Sequence, residues 1–248
     1  MVAIMFKIKC ITNMHVGAGD INYNLIDNEV ERDPITRYPV IHASGVKGAL
    51  REYFSREFVE EEKRYIDDIF GSEKQGQTTV GKLRFMEASM LAIPARASDG
   101  DCAYYLVSTQ EALNKYAETI EVFYKKTKKE CISKPNLVNG RSVEGILLNE
   151  SVQALGEEIH ILSEKDFKKI SLPVVARNKL ENGISKNLWY EEVVPHQSVF
   201  YFSVLANHTN EDQKLLNKLK DTVNNQVVQF GANASIGYGL CKITVAEE

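Results

Sequence analysis

The sequence predicts an α+β fold with an antiparallel-rich sheet. Three observations carry that reading. Candidate elements run strand, helix, strands, helix, strands, helix, strands, without the regular alternation that a doubly wound parallel sheet needs. Asn182-Gly183 sits between two strand-like runs, the strongest short hairpin signal in a sequence. No G-x-x-x-x-G-K-[ST] or G-x-G-x-x-G opens a helix after a strand, which removes the common nucleotide-binding folds.

Taken in order, Met5 to Thr12 alternates apolar and polar residues in part and is expected to be a strand. Asn13 to Ala43 is long and irregular, with Gly17, Gly19, Pro34 and Pro39; stretches of that kind in a compact domain are often functional. Ser44 is the expected N-cap of a helix in which Val46, Ala49, Leu50, Tyr53 and Phe54 share one apolar face. Lys82 to Ala97 is expected to form a strand pair and Tyr104 to Val107 another strand. Ser108 and Glu111 have capping-box spacing for a helix to about Tyr124. The lysine-rich run Lys125 to Lys134 is taken as a solvated loop rather than an RNA contact. Gly145 to Leu155 and Ile159 to Leu162 suit strands, and Leu172 to Leu180 with Ile184 to Tyr190 suits the hairpin. Val199 to Leu205 is strand-like, Asp212 to Val223 helical, and Val227 to Phe230 and Leu240 to Val245 close the chain as strands. That order fits a ferredoxin-like (RRM-like) core with inserted loops.

Composition narrows the function classes. The 248 residues carry 30 Lys and Arg against 34 Asp and Glu, a net charge of −4, so no global nucleic-acid signal exists and any RNA contact must come from local patches. Hydrophobic content of 44% and charged content of 26% exclude disordered and fibrous classes. No apolar run approaches the roughly 18 residues of a membrane span, and Lys7 ends the apolar start too early for a signal peptide; a cytoplasmic protein is expected. Cys10, Cys102, Cys131 and Cys241 are scattered, without zinc-ligand spacing, and are expected to be reduced and mostly buried.

Three segments could carry chemistry. Met14-His15-Val16-Gly17-Ala18-Gly19 follows the first strand; two glycines two apart let backbone N–H groups approach a phosphate, although a tight turn explains them equally simply. Ser44-Gly45-Val46-Lys47-Gly48-Ala49-Leu50-Arg51 opens a helix, with Lys47 in the first turn and Arg51 one turn on, suited to successive phosphates or simply to solvated cations. Gly231-Ala232-Asn233-Ala234-Ser235-Ile236-Gly237-Tyr238-Gly239 has more glycines than an ordinary hairpin needs, with Tyr238 as a stacking surface.

G-x-G after strand one, S-x-x-K-G-x-L-R in the first helix and a glycine-rich loop before the last strand together resemble the RAMP superfamily of CRISPR RNA-binding proteins. Ile69-Phe70-Gly71-Ser72, Phe85-Met86-Glu87-Ala88 and the run Leu172 to Arg177 with Leu188 to Pro195 strengthen the resemblance, the last being similar to the thumb hairpin of the backbone subunits of type III-B (Cmr) effector complexes. The equivalent type III-A (Csm) subunit is the alternative.

The resemblance implies a single RAMP domain over 1–248, with a catalytic loop region at 12–43 and a thumb hairpin at about 170–198. It implies partners: guide CRISPR RNA, complementary target RNA, other copies of the chain and other effector subunits, with no membrane. Gly17, Gly19, Ser44, Lys47, Arg51, Asn233, Gly237, Tyr238 and Gly239 are then the RNA-binding residues. Arg177, Lys179, Asn182, Gly183 and Trp189 belong to the thumb. Asp27 matches the aspartate that cuts target RNA at regular intervals with a divalent metal, expected to be Mg2+, either as metal ligand or as base toward the 2′-OH. His15 matches the family histidine and stands beside Asp27 as a catalytic candidate, a loop organiser or RNA contact being preferred for it over a general acid. The chain departs from the family's usual D-x-P-I-Q-R at Asp27-Asn28-Glu29-Val30-Glu31-Arg32, from Pro-Gly-Ser-Ser at His42-Ala43-Ser44-Gly45, and from a double glycine at Gly231-Ala232. A non-catalytic guide-binding scaffold on the same fold is the rival; a single-copy processing nuclease is disfavoured because the histidines do not group with a lysine.

Overall fold

Alternation along the first strand sets the architecture. In β1 (Val2–Cys10), Phe6, Ile8 and Cys10 enter one apolar core while Met5 enters another on the opposite face of the sheet. The computed structural model that places these residues describes 1–17, 19, 26–74 and 76–246; Ala18, Asp20, Asn24 and Leu25 of the first loop lie outside the described residues.

After the loop comes helix α1 (Ala43–Glu57), which buries Val46, Leu50 and Phe54, the face its spacing predicts. The cap differs from expectation: His42 holds the N-cap position without a side-chain cap bond, and Ser44 is an exposed residue of the first turn. A second helix, α2 (Lys63–Phe70), was not expected, because charged residues surround the few apolar positions it buries, Ile66, Ile69 and Phe70. Strand β2 (Ala88–Asp99) is long, and β3 (Tyr104–Thr109) returns beside it. Helix α3 (Gln110–Tyr124) is capped by Thr109, whose hydroxyl accepts from the Ala112 N–H at 3.2 Å; Ser108, the expected cap, is buried and donates to the Leu91 carbonyl instead. Within the lysine-rich run, Lys128–Cys131 form a short helical turn. The expected strand from Gly145 to Leu155 is broken in two, a short piece at Ile146–Leu147 and β4 at Glu150–Ala154, while β5 at Glu157–Leu162 covers the expected strand Ile159 to Leu162.

The hairpin of β6 (Val174–Glu181) and β7 (Ile184–Glu192) forms its own two-stranded sheet, outside the main one. Asn182 and Gly183 both have positive φ, 53° and 78°, the backbone pattern that a type I′ turn requires. All eight residues of β8 (Val199–Ala206) are buried, as befits a central strand covered on both faces. Helix α4 (Asn210–Val223), capped by Thr209, buries Leu215, Leu216, Leu219 and Val223, and β9 (Val227–Gln229) and β10 (Leu240–Val245) finish the chain.

The main sheet runs β9-β10-β1-β8-β2-β3-β5-β4. Among the described strands its one parallel pair is β3 with β5, the pair joined through α3. One face packs Phe6, Ile8, Phe200 and Phe202 under α1, α2 and α4; the other packs Met5, Leu91 and Tyr201 under Leu113, Tyr116 and Ile120 of α3. Cys10 and Cys241 lie opposite each other on β1 and β10, fully buried, with sulfurs 3.7 Å apart; Cys131 is half-buried and Cys102 exposed, so burial holds for two of the four cysteines. Among the described residues no helix is long and apolar enough to cross a membrane.

Candidate functional site

Two adjacent glutamates at the root of the hairpin gather the site. Glu191 and Glu192 end β7 and are buried, at 4% and 7% exposure, where a strand with one wet face would leave one of them in water. Both faces are occupied because other segments converge on them. Glu191 accepts from Arg177 Nε at 2.8 Å and from Asn233 Nδ2 at 2.7 Å. Glu192 accepts from the Val30 N–H at 3.1 Å and from Arg32 Nη2 at 2.5 Å. Two guanidinium groups thus face two carboxylates, which offsets part of the cost of burying each charge.

His15 sits between the two glutamates. It is 5% exposed, and its Nδ1 lies 2.7 Å from the Glu192 carbonyl. A carbonyl can only accept, so Nδ1 carries the proton and Nε2 is left facing Glu191 Oε1 at 3.6 Å. The His15 loop is pinned on both sides: Met14 exchanges two backbone hydrogen bonds with Val194, and the Ala232 N–H donates to the His15 carbonyl at 2.8 Å.

Asp27 is exposed and lies beside this cluster. Its Oδ2 accepts from the Tyr190 N–H at 2.8 Å, while the N–H groups of Asp27 and Asn28 both lie 3.1 Å from the Tyr190 carbonyl. The Glu192 N–H then donates to the Asn28 carbonyl at 2.9 Å. The Asp27 segment is therefore laid along the edge of β7, one residue before the glutamate pair.

The glycine-rich loop closes the site from the other side. Arg177 lies over the Tyr238 ring, 4.5 Å from its centroid, and Asn233 reaches Glu191, so this loop touches the hairpin at two points. Gly239 has a different part from the expected phosphate contact. It is buried, its N–H donates to the Asn13 carbonyl, its carbonyl accepts from Phe230, and an added Cβ would stand 1.8 Å from the Phe230 oxygen. With its backbone groups used inside the protein, Gly239 is a packing glycine. The Gly237 N–H is likewise taken, by the Ala234 carbonyl, though the residue is exposed.

Gly17 and Gly19 are exposed; Gly17 is bridged to Val30 of the Asp27 segment and lies against the His15 ring. Ser44 and Arg51 are exposed and Lys47 half-buried on α1; among the described residues neither cation is in an ion pair. Their helix joins the site through its N-cap, where His42 Nε2 lies 3.1 Å from Glu31 in the Asp27 segment. Lys179 pairs with Glu181, and Asn182 and Gly183 form the hairpin tip, about 16 Å beyond Arg177 at strand rise. Trp189, half-buried, is opposite Arg177 in the hairpin ladder.

A metal ion would find a small donor set here. Among the described residues no group of three or more His, Cys, Asp and Glu is placed to hold an ion. Asp27 offers one exposed carboxylate, half engaged by Tyr190. That fits Mg2+, which keeps several waters and is held through one or two carboxylates together with substrate phosphates.

The profile of the RAMP superfamily matches residues 7–242. The chain belongs to that superfamily. Across its whole length, and 97% of the relative's, this RAMP chain is 28% identical over 292 residues to the CRISPR system Cmr endoribonuclease Cmr4 of Pyrococcus furiosus. Its fold is similar to a chain in the type III-B Cmr-beta complex bound to cognate target RNA, with a TM-score of 0.81 at 21% identity, covering 99% of this chain and 98% of that one. It is also similar to the oligomeric Cmr4 from Pyrococcus furiosus, with a TM-score of 0.71 at 21% identity, covering 99% and 98%.

Glu191, Glu192 and Arg32 of this RAMP domain were not singled out as site residues by sequence reasoning. The available signal was a pair of neighbouring acids followed directly by Val193-Val194-Pro195, since consecutive strand residues face opposite ways and an apolar continuation implies cover on both faces.

Proposed function

We propose that this RAMP chain is the backbone subunit of a type III-B CRISPR effector complex. It binds guide RNA, stacks with copies of itself and with other Cmr subunits, and cuts complementary target RNA at regular intervals. It works in the cytoplasm as a single domain. The full-length similarity to a Cmr endoribonuclease supports the assignment to the Cmr side over the Csm side. The strand order β10-β1-β8-β2, with α1 after β1 and α4 after β8, supports a ferredoxin-like core, the rest being inserted. The free-standing hairpin, exposed along β7 from Ile184 to Leu188 and at Tyr190, supports the role of a thumb set between bases.

The observation that carries the reading is the docking of Asp27 on the edge of the thumb strand. A thumb that displaces a base kinks the paired target at that point, and base pairing supplies all sequence recognition. Asp27, fixed at the thumb's root, then meets the splayed phosphodiester at every copy, and cuts follow the spacing of copies. Asp27 would be the protein's ligand for a divalent ion, Mg2+, which supplies charge stabilisation when bound. His15, locked by Glu192, shapes the loop that carries Gly17 and Gly19 to the RNA. Lys47, Arg51 and Ser44 hold guide phosphates, exposed Gly17 and Gly19 let the RNA backbone approach, and Tyr238 offers a ring face.

The test is target cleavage by the guide-loaded complex with magnesium, wild type against Asp27→Ala, with target binding measured in parallel. A regular ladder that vanishes in the variant while binding persists is the expected result. A ladder that persists moves the chemistry off Asp27. Tight binding without a ladder in either protein leaves a scaffold.

A further inference from the structure

Asp27 is exposed and on a loop, yet a nuclease needs its carboxylate held to within a fraction of an ångström. Something must therefore fix the segment after it. Beyond Asn28, Glu192 ties that segment to the thumb root: Oε2 takes the Val30 N–H and Oε1 takes Arg32 Nη2. Arg32 also donates through Nη1 to the Arg37 carbonyl at 3.0 Å, which stiffens the turn at the far end of the segment. The pair is shielded, at 22% and 9% side-chain exposure, so salt weakens it little. The same Glu192 holds His15 through its carbonyl and Asn28 through its N–H. Breaking the carboxylate's contacts unties Val30 and Arg32 from the thumb strand, while the thumb ladder and the Glu31 N–H bond to the Val16 carbonyl stay in place.

We infer that the Arg32–Glu192 ion pair is a positioning device for Asp27, making the thumb strand and the cutting carboxylate one rigid unit so that cleavage occurs only where a thumb has entered. The inference rests on the nuclease reading of Asp27. Arg32 and Glu192 act through Asp27 and do not meet the RNA.

The experiment compares single-turnover cleavage by guide-loaded complexes carrying wild type, Arg32→Ala, Arg32→Lys, Glu192→Gln or Asp27→Ala, with target affinity and melting temperature measured on each. Misplacement by about 1 Å costs on the order of 100-fold, so Arg32→Ala is expected to slow cleavage by roughly 10- to 100-fold at unchanged target affinity. Arg32→Lys, which keeps the charge and loses the second contact, recovers part of the rate. Glu192→Gln, whose amide cannot accept from both donors, resembles Arg32→Ala. Wild-type cleavage by folded Arg32→Ala overturns the inference, as does a loss matched by lost target binding. Where Arg32→Ala fails to fold, Arg32→Lys and Glu192→Gln decide by the same rate-against-affinity comparison. A ladder that survives Asp27→Ala sinks the catalytic reading of Asp27 instead, and is distinguishable because it appears whatever stands at residue 32.

Discussion

The Asp27 carboxylate accepts a hydrogen bond from the backbone N–H of Tyr190, two residues whose separation in sequence is 163. An exposed loop acid is thereby joined to the root of a hairpin that stands clear of the main sheet. The bond engages one carboxylate oxygen, a place an amide oxygen can also take, which separates the geometry that holds the loop from the charge that would act on RNA.

Asp27→Asn exploits that separation. Asparagine keeps an amide oxygen to accept from Tyr190 and loses the anion. The expected outcome is a melting temperature unchanged to within about 0.5 kcal/mol of stability, as for ordinary surface substitutions, with target cleavage abolished. Thermal unfolding and a cleavage time course on the same preparation check both halves. Destabilisation beyond that would mean the charge itself supports the loop.

The cations of α1 lead to a salt-dependence prediction. Lys47 and Arg51 are not engaged in ion pairs among the described residues, so RNA phosphates would meet no internal competitor. Lys47→Ala should weaken guide binding across all sequences and reduce the slope of log K against log salt by about 1. Filter binding from low to moderate salt measures it. An unchanged slope removes Lys47 from the guide contact.

Much of the fold could be read locally, and the failures have two causes. Asn182-Gly183 announces the hairpin because the needed backbone conformation belongs to those two residues. The α1 face was legible for the same reason: its periodicity lies within one helix. Caps were misjudged by one residue at Thr109 and two at His42, because neighbouring polar residues compete for the position and tertiary packing chooses; Ser108 is drawn inward to Leu91. The glutamate hub was invisible for a different reason. Arg32, Val30, His15 and Asn233 approach Glu191 and Glu192 from distant parts of the chain, and no local pattern records that convergence.

The caps themselves can be weighed. Thr109→Ala removes the cap bond to Ala112 and the buried bond to the Tyr38 hydroxyl, and should cost about 2 kcal/mol. Ser44→Ala removes no cap and should cost under about 0.5 kcal/mol. Denaturant unfolding of both variants tests the assignment, and equal losses would contradict it.

Glycine positions separate packing from exposure. Gly239 has φ 72° and faces the Phe230 oxygen, so Gly239→Ala combines left-handed strain with a clash and should cost at least about 3 kcal/mol. Gly183 has φ 78° but open space around it, so Gly183→Ala should cost only about 1 kcal/mol, confined to the hairpin turn. Global melting should fall sharply for the first and barely for the second. A sharp fall for Gly183→Ala would mean the hairpin is part of the cooperative core.

Acid should weaken the fold in two stages. Burial of the His160 ring, 1% exposed, disfavours its charged form and lowers its pKa below the ordinary 6.5, against the opposing pull of Glu158. The unfolded chain then binds this proton more readily than the folded one, so stability is full above about pH 6.5 and declines as pH falls below it. Asp33 acts lower on the scale. Burial alone would raise its pKa, but the N–H groups of Thr36 and Ile35, the Thr36 hydroxyl and Lys115 outweigh it and hold it below 3.8. Its contribution is present above about pH 4 and is lost as pH drops through the folded value. His160→Gln should therefore flatten the decline between pH 7 and 5 and leave the steeper loss below pH 4 in place, and Asp33→Asn should do the reverse. Melting temperatures across that range decide it, and parallel curves for wild type and His160→Gln between pH 7 and 5 would remove His160 as the source of the first stage.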